Sequence, residues 1–585
     1  MHQLRGSQAE QQGPLSPTGA PPEPYPRVFF WCTILVLGLL NVWARRNEVS
    51  PDSISYIEIA WATARGGLHQ IVNGYWSPLY PFLLSLVFRC FHPPVQWEFT
   101  AAHLLNFAVY VASLATFEAF LKELILARQA AGKSLEKAQA ISTRTIWIWG
   151  YVFFLWAGYY WLGAAWVTPD LCAAVLVYLA TALLFRIRRG RGSWIVFAGL
   201  GALLGLGYLA KAAMFPLSFV FLLSAFCLAR IAGASLRGAA LRTLLATAVF
   251  AGLAMPLVLA LSAMKGRPTF GDSGALNYAM YVDGAPRWVH WHGQPPGTGV
   301  PAHPMRQLSY DPPLYEFAQP VPGSYPLWYD PSYWYEGISP HFSLRGQVWA
   351  LYRAANVYLK LISRTGALYA AFLGLALLAR KGGSWQFEGE RLFWVWLPSF
   401  AAFGMYAFVH VEQRFVGGFA LMLLMWILSS LRVSERAAAQ FRRRAILMAG
   451  FAPGLAVGWA VARDLYDVAR NKPNEHWVIA QQLHAMGIPP GTEVGYIGTG
   501  LEASWAHLAG VRIVAEVPES ELQPFAAADA ERRQKVLALF SSVGARAVVT
   551  RNADAANPAD GWRQIPGTRH FIWQRPWLIA APEKK

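Results

Sequence analysis

Apolar runs recur along this chain, and basic residues crowd into every second loop between them. No other feature constrains the fold as strongly. A run of about 20 apolar residues can cross a bilayer only as a helix that closes its own backbone hydrogen bonds. Runs of about that length occur at 28–44, 99–121, 146–162, 170–186, 194–210, 213–230, 243–263, 365–380, 392–410, 415–431 and 445–461. They predict about eleven crossings. Composition agrees, with 55% hydrophobic and only 14% charged residues, against roughly 25% charged in soluble proteins. The fold class is therefore mainly α, a polytopic transmembrane helix bundle.

One further run, Trp76 to Phe91, is ambiguous, because it holds Pro78, Pro81 and a late Arg89. Charge decides it. The short loops 122–144, 186–193, 229–242, 379–391 and 432–444 are loaded with Lys and Arg, most clearly in "RIRRGRG" and "FRRRA". All five fall on one side only if 76–91 does not cross, and that side is then cytoplasmic. This asymmetry explains most of the net charge of +17, so nucleic acid is not an expected partner; the lipid bilayer is. The N-terminus lies inside and the C-terminus outside, in a periplasmic or extracellular space. For a bacterium this is a multi-pass protein of the inner membrane.

The chain divides into a polar leader, 1–27, a transmembrane module, 28–463, and a tail, 464–585. The leader, rich in Gln, Pro and Gly, is expected to be disordered and cytoplasmic. Two large loops project outward from the module, 45–98 and 264–364, the second dense in Pro, Gly and aromatics ("NYAMYVDGAPRWVHWHG"). The tail alternates apolar strands ("EVGYIG", "VRIVAEV", "ARAVVT") with helical stretches at 502–508 and 526–539, a small α/β domain. "GYIGTG" lacks the register of a dinucleotide-binding loop. Cys32, Cys90, Cys172 and Cys227 lie in apolar segments without metal-site spacing and read as buried small hydrophobes.

Charges on the outer side are few, and an ionisable group at a membrane boundary is a functional candidate. Asp52 opens "PDSISYIEIAWATARGG", just beyond the first span. Either Asp52 or Ser50 can cap the helix expected from Ser53 to Ala64. Asp170 ends "WVTPD" at the outer start of a span, where a cap is again the plain alternative. Lys211 lies between two apolar runs, where snorkelling to the interface is the alternative. "HVEQRF" places His410, Glu412 and Arg414 together, where a structural Glu–Arg pair would suffice. His290 and His292 of "HWHG" are open to metal binding or to loop contacts.

Singly each is ordinary, but together they put two carboxylates and two cations on one face. A carboxylate can take a proton from a hydroxyl nucleophile. Lys and Arg can hold a departing anionic phosphate. A second carboxylate can hold a divalent cation or an incoming hydroxyl. Tyr56, Tyr75 and Trp76 can line a sugar or lipid groove, or simply pack at the interface. No nucleotide sugar is supplied outside the membrane, so a group transferred there must arrive activated on a carrier, such as a polyprenyl phosphate. A transporter or lipid flippase is the competing class, but its polar residues would line the bilayer midplane. A non-catalytic assembly or receptor subunit is the third class.

These pieces, "PDSISYIEIA", "GYWSPLYPFLLSL", "VTPDLCAAVLVY", "GLGYLAKAAMFPL" and "HVEQRFVGGFALML", resemble the GT-C glycosyltransferases. Within them the resemblance is to bacterial relatives of the protein O-mannosyltransferases and the lipid A aminoarabinose transferases. It covers about residues 28 to 431. It implies Asp52 as catalytic base or acceptor-orienting acid, and Asp170 as the second-loop carboxylate near the acceptor or a metal. It implies Lys211, Arg414 and His410 as contacts of the donor phosphate. It further implies a polyprenyl-phosphate sugar donor, a glycan, lipid or protein hydroxyl as acceptor, and inversion at the sugar carbon. Ser53 after the first acid and Phe415 after Arg414 depart from the common pattern.

Overall fold

The structure, a computed structural model, describes residues 27–131, 139–287, 291–317, 323–364, 389–430, 432–433 and 435–574. Most of the leader, the apolar run 365–380 and His290 lie outside the described residues.

Each described apolar run is a helix. They are α1 (Arg27–Ala44), α4 (Glu98–Ala131), α5 (Thr143–Tyr160), α6 (Asp170–Arg188), α7 (Trp194–Ala210), α8 (Met214–Ile231) and α9 (Leu236–Lys265). After the large loop follow α14 (Gly389–Ala407), α15 (Gln413–Ser430) and α16 (Glu435–Arg470). Six of the described helices are both long and apolar enough to span a bilayer, beginning at Arg27, Val95, Asp170, Met214, Leu236 and Gln413. Serine side chains start three of the helices: Ser142, Ser193 and Ser235 each accept a bond from a first-turn amide. Small residues let α7 and α9 approach closely. A Cβ on Gly201 would meet the Ala246 carbonyl oxygen at 2.2 Å, so only glycine fits there.

Between α1 and α4, the first outer loop folds into α2 (Pro51–Gly66) and α3 (Leu79–Phe91). With 13 residues, α3 is about 20 Å long, too short for a hydrocarbon core of about 30 Å. Four of the five basic loops meet at one end of the bundle, while most of 379–391 lies outside the described residues. Strand β1 (Gln139–Ala140) pairs with β4 (Arg432–Val433), Arg186 and Arg189 both bind Glu123, and Arg242 donates to the Gly192 carbonyl.

The large loop contributes α10 (Ser273–Tyr281), α11 (Pro326–Tyr329), α12 (Pro331–Trp334) and α13 (Leu344–Arg364), with strands β2 (Arg306–Tyr310) and β3 (Pro313–Glu316). The tail supplies β5 (Glu493–Gly498), β6 (Arg512–Pro518), β7 (Ala547–Thr550), β8 (Arg563–Gln564) and β9 (Phe571–Gln574). Its helices include α17 (Glu475–Ala485), α18 (Ser504–Ala509) and α19 (Ala530–Ser542). The described strands of the large loop and the tail form one sheet of order β2-β3-β6-β5-β7-β9-β8. The centre is parallel, as in an α/β unit, and the edges are antiparallel. Loop and tail, distant in sequence, are thus parts of one layer.

Two of the cysteines correct the sequence reading. Cys172 is buried and Cys227 partly so, but Cys32 and Cys90 are exposed. An apolar helix beside lipid has no need to bury its small hydrophobes.

Candidate active site

At the end of the bundle opposite the basic loops, a cavity of about 490 Å³ opens between α2, the α7–α8 turn, the start of α6 and the start of α15. That volume lies within the usual range for small-molecule sites. Eight of the residues singled out from the sequence line it: the acids Asp52 and Asp170, the cations Lys211 and Arg414, His410, and the aromatics Tyr56, Tyr75 and Trp76.

Local chemistry sets each in place. The cap of α2 is Ser50, in a reciprocal capping box with Ser53, and Pro51 takes the first helical position. Asp52 therefore does not cap its helix. Its carboxylate accepts instead from Arg414 Nη2 at 2.6 Å. Asp170 is not a cap either, because Pro169 holds that position with no side-chain bond to α6. It is 5% exposed, and it accepts from the Lys211 ammonium and lies 3.4 Å from Arg414 Nη1. Lys211 does not snorkel. It is half-buried between Asp170 and the Phe415 ring, whose centre is 3.6 Å from Nζ.

Arg414 is the hub. Its guanidinium reaches three carboxylates, Asp52, Asp170 and Glu412, the last at 2.8 Å from Nε. The Glu–Arg pair read from the sequence is present, as one arm of a larger network. Burial raises the Glu412 carboxyl, but the hydrogen bond from His410 and the Arg414 charge outweigh it and bring it down to about 2. Burial lowers the Lys211 ammonium below its ordinary range, with Asp170 pulling the other way. The His410 ring stacks on Tyr281 at 3.7 Å and bonds Glu412 at 3.3 Å.

No protein-family profile and no curated protein matches the sequence. Solved structures do match it in shape. ArnT from Cupriavidus metallidurans bound to undecaprenyl phosphate superposes with a TM-score of 0.55 at 14% identity, covering 93% of this chain and 97% of that one. Its apo form gives 0.53 at 13% identity, covering 95% and 100%. The archaeal oligosaccharyltransferase AglB from Archaeoglobus fulgidus, in complex with an inhibitory peptide and a dolichol-phosphate, gives 0.48 at 14%, covering 90% and 69%. The fold is GT-C.

In this GT-C protein the aromatic wall is packed rather than loose. Tyr56 stands edge-on to Trp76 and Tyr80, and Trp76 Nε1 donates to the Trp328 carbonyl at 2.8 Å. Burial first, then Asp52, pushes the phenols of Tyr56 and Tyr75 up, so both stay protonated donors. Further lining comes from the large loop, through Asn277, Tyr281, Arg287 and Tyr335, and from the tail's sheet domain, through Leu501. The sequence marks the large loop as rich in Pro, Gly and aromatics, and it assigns none of these residues to the site. His292 lies against Tyr315 rather than in the cavity.

Among the described residues, no three His, Cys, Asp or Glu side chains gather as a metal ion would require. Arg414 already stands between Asp52 and Asp170. The donor set therefore does not fit a resident divalent cation.

Proposed function

We propose that this protein is an inverting glycosyltransferase. It moves a sugar from a polyprenyl-phosphate donor to a hydroxyl of a glycan, lipid or protein, at the outer face of the inner membrane. The observation that carries this reading is that four separate elements bring both carboxylates and both cations to one cavity at one end of the spans.

Asp52 is the base. Its carboxylate is about one-third exposed and is held by Arg414 through one oxygen, which leaves the other for an acceptor hydroxyl. The hydroxyl oxygen attacks the anomeric carbon as Asp52 takes its proton. The carbon–oxygen bond to phosphate breaks on the opposite face, and polyprenyl phosphate leaves with the electron pair. Lys211 has three donors and gives one to Asp170. Its others, with Arg414, offset the charge growing on the leaving phosphate. Asp170 holds both cations in place. Tyr56, Tyr75 and Trp76 supply the wall for the sugar, and His410 extends the phosphate side. The GT-C fold and its likeness to ArnT bound to undecaprenyl phosphate support the choice of donor class.

A donor panel tests the reading. Detergent-purified protein receives polyprenyl-phosphate sugars and crude membrane acceptors, with and without EDTA, and released polyprenyl phosphate is followed by mass spectrometry. Release with one donor, unaffected by EDTA, is expected. No release with any donor from demonstrably folded protein would contradict it.

A further inference from the structure

Helix α13 carries three distinct faces. Gln347, Ala350, Ala354 and Leu361, three to seven residues apart, are buried, and Ala354 packs with Val411 and Val416 at the start of α15. A second face is apolar and exposed: Leu344 at 69%, Val348 at 58%, Tyr352 at 58% and Leu359 at 61%. These positions recur at steps of four and seven and form one stripe at about 3.6 residues per turn. The third face carries exposed Arg345, Arg353 and Lys360.

This arrangement has a physical reading. Exposed large apolar side chains in a stripe need a cover. The stripe adjoins α14, where Phe393 and Phe400 are also exposed, so it continues the lipid-facing band of the bundle. Trp349 and Tyr352, ring against ring at 5.6 Å, are residues favoured at the headgroup level. A helix with an apolar face and an adjacent cationic face lies in the interface and attracts anionic headgroups.

We propose that α13 docks on anionic phospholipid headgroups beside the mouth of the cavity. The contact reaches the cavity wall mechanically. Arg353 donates to the Tyr281 carbonyl, and Gln347 links Tyr278 to the Phe408 carbonyl. A Cβ on Gly346 would meet the Val282 carbonyl at 2.0 Å, so the start of α13 is pressed on the segment that presents Tyr281.

The test does not depend on sugar transfer. Full-length protein is placed in phosphatidylcholine nanodiscs containing a trace of headgroup-diazirine phosphatidylglycerol or phosphatidylcholine. Photo-adducts are then mapped by mass spectrometry. Adducts on 344–361 should be several-fold more frequent from phosphatidylglycerol. In the double variant Arg345→Gln, Lys360→Gln that excess should fall about fivefold or more, while adducts on α9 stay unchanged. Equal labelling of α13 by both lipids would overturn the proposal. So would absence of labelling there, which would mean that protein, such as a second copy, covers the stripe.

Discussion

Helix α2 serves two charged clusters, and they differ in one respect. At its first turn, Asp52 joins Asp170, Glu412, Lys211 and Arg414 around an open cavity. Six residues on, Glu58 joins Glu98 around His507, sealed where α18 of the outer domain meets α2 and α4. His507 bonds Glu58 at 3.2 Å through Nδ1 and Glu98 at 2.8 Å through Nε2. Both clusters pair acids with cations. Only the first leaves an acid and cationic donors facing space that a substrate can fill. In the second, Glu58 and Glu98 are buried, and the backbone amide of Ser324 also donates to Glu58. On the function proposed above, the first cluster serves chemistry and the second attachment.

Arg414→Gln should break the first cluster hardest. It removes the partner of three carboxylates and the charge proposed to face the leaving phosphate. Transfer should fall on the order of 10³-fold, with a loss of about 3–5 kcal/mol from a broken buried pair, read as kcat and as thermal unfolding in detergent. Asp170→Asn should cost about 3 kcal/mol, because Lys211 and Arg414 lose their shared buried acid. Its effect on kcat should be smaller than that of Arg414→Gln.

His507→Gln sharpens the contrast. Two buried acids lose their cation, so thermal stability should drop by about 3 kcal/mol. At a temperature where the variant stays folded, kcat should change less than twofold. A loss of kcat as large as that for Arg414→Gln would erase the distinction between the clusters.

The smallest effect is a pH dependence. Burial lowers the His507 imidazole, but hydrogen bonds and charge from Glu58 and Glu98 overcome it and raise it to about 10. The raised group contributes stability that is complete below the ordinary histidine value of about 6.5. That contribution is lost as pH rises through about 10. The wild-type melting temperature should therefore fall more steeply between pH 8 and pH 10.5 than that of His507→Gln.

How legible each cluster was follows from its setting. The cavity residues stood out because Asp52, Asp170, Lys211 and Arg414 sit at the ends of apolar runs, on the side where charge is scarce. Their alternatives as caps or snorkels could not be dismissed from sequence. Whether Ser50 or Asp52 caps α2 is decided by geometry within one turn, and whether Lys211 snorkels depends on Asp170, 41 residues away. The attachment cluster left no local signal. "WAHLAG" reads as an ordinary helix, and His507 meets its partners across 449 and 409 positions of sequence. The shared sheet was hidden for the same reason. β3 and β6 pair as Tyr315 with Glu516, and no periodicity in either segment announces a partner so distant.

The most direct measurement compares wild type with Asp52→Asn in detergent, using the donor the panel selects, and reads released polyprenyl phosphate against thermal stability. Arg414 keeps Asp170 and Glu412 in the variant, so the melting temperature should hold. Transfer should fall by about 10² to 10⁴-fold. An Asp52→Asn protein that turns over at the wild-type rate would contradict the account.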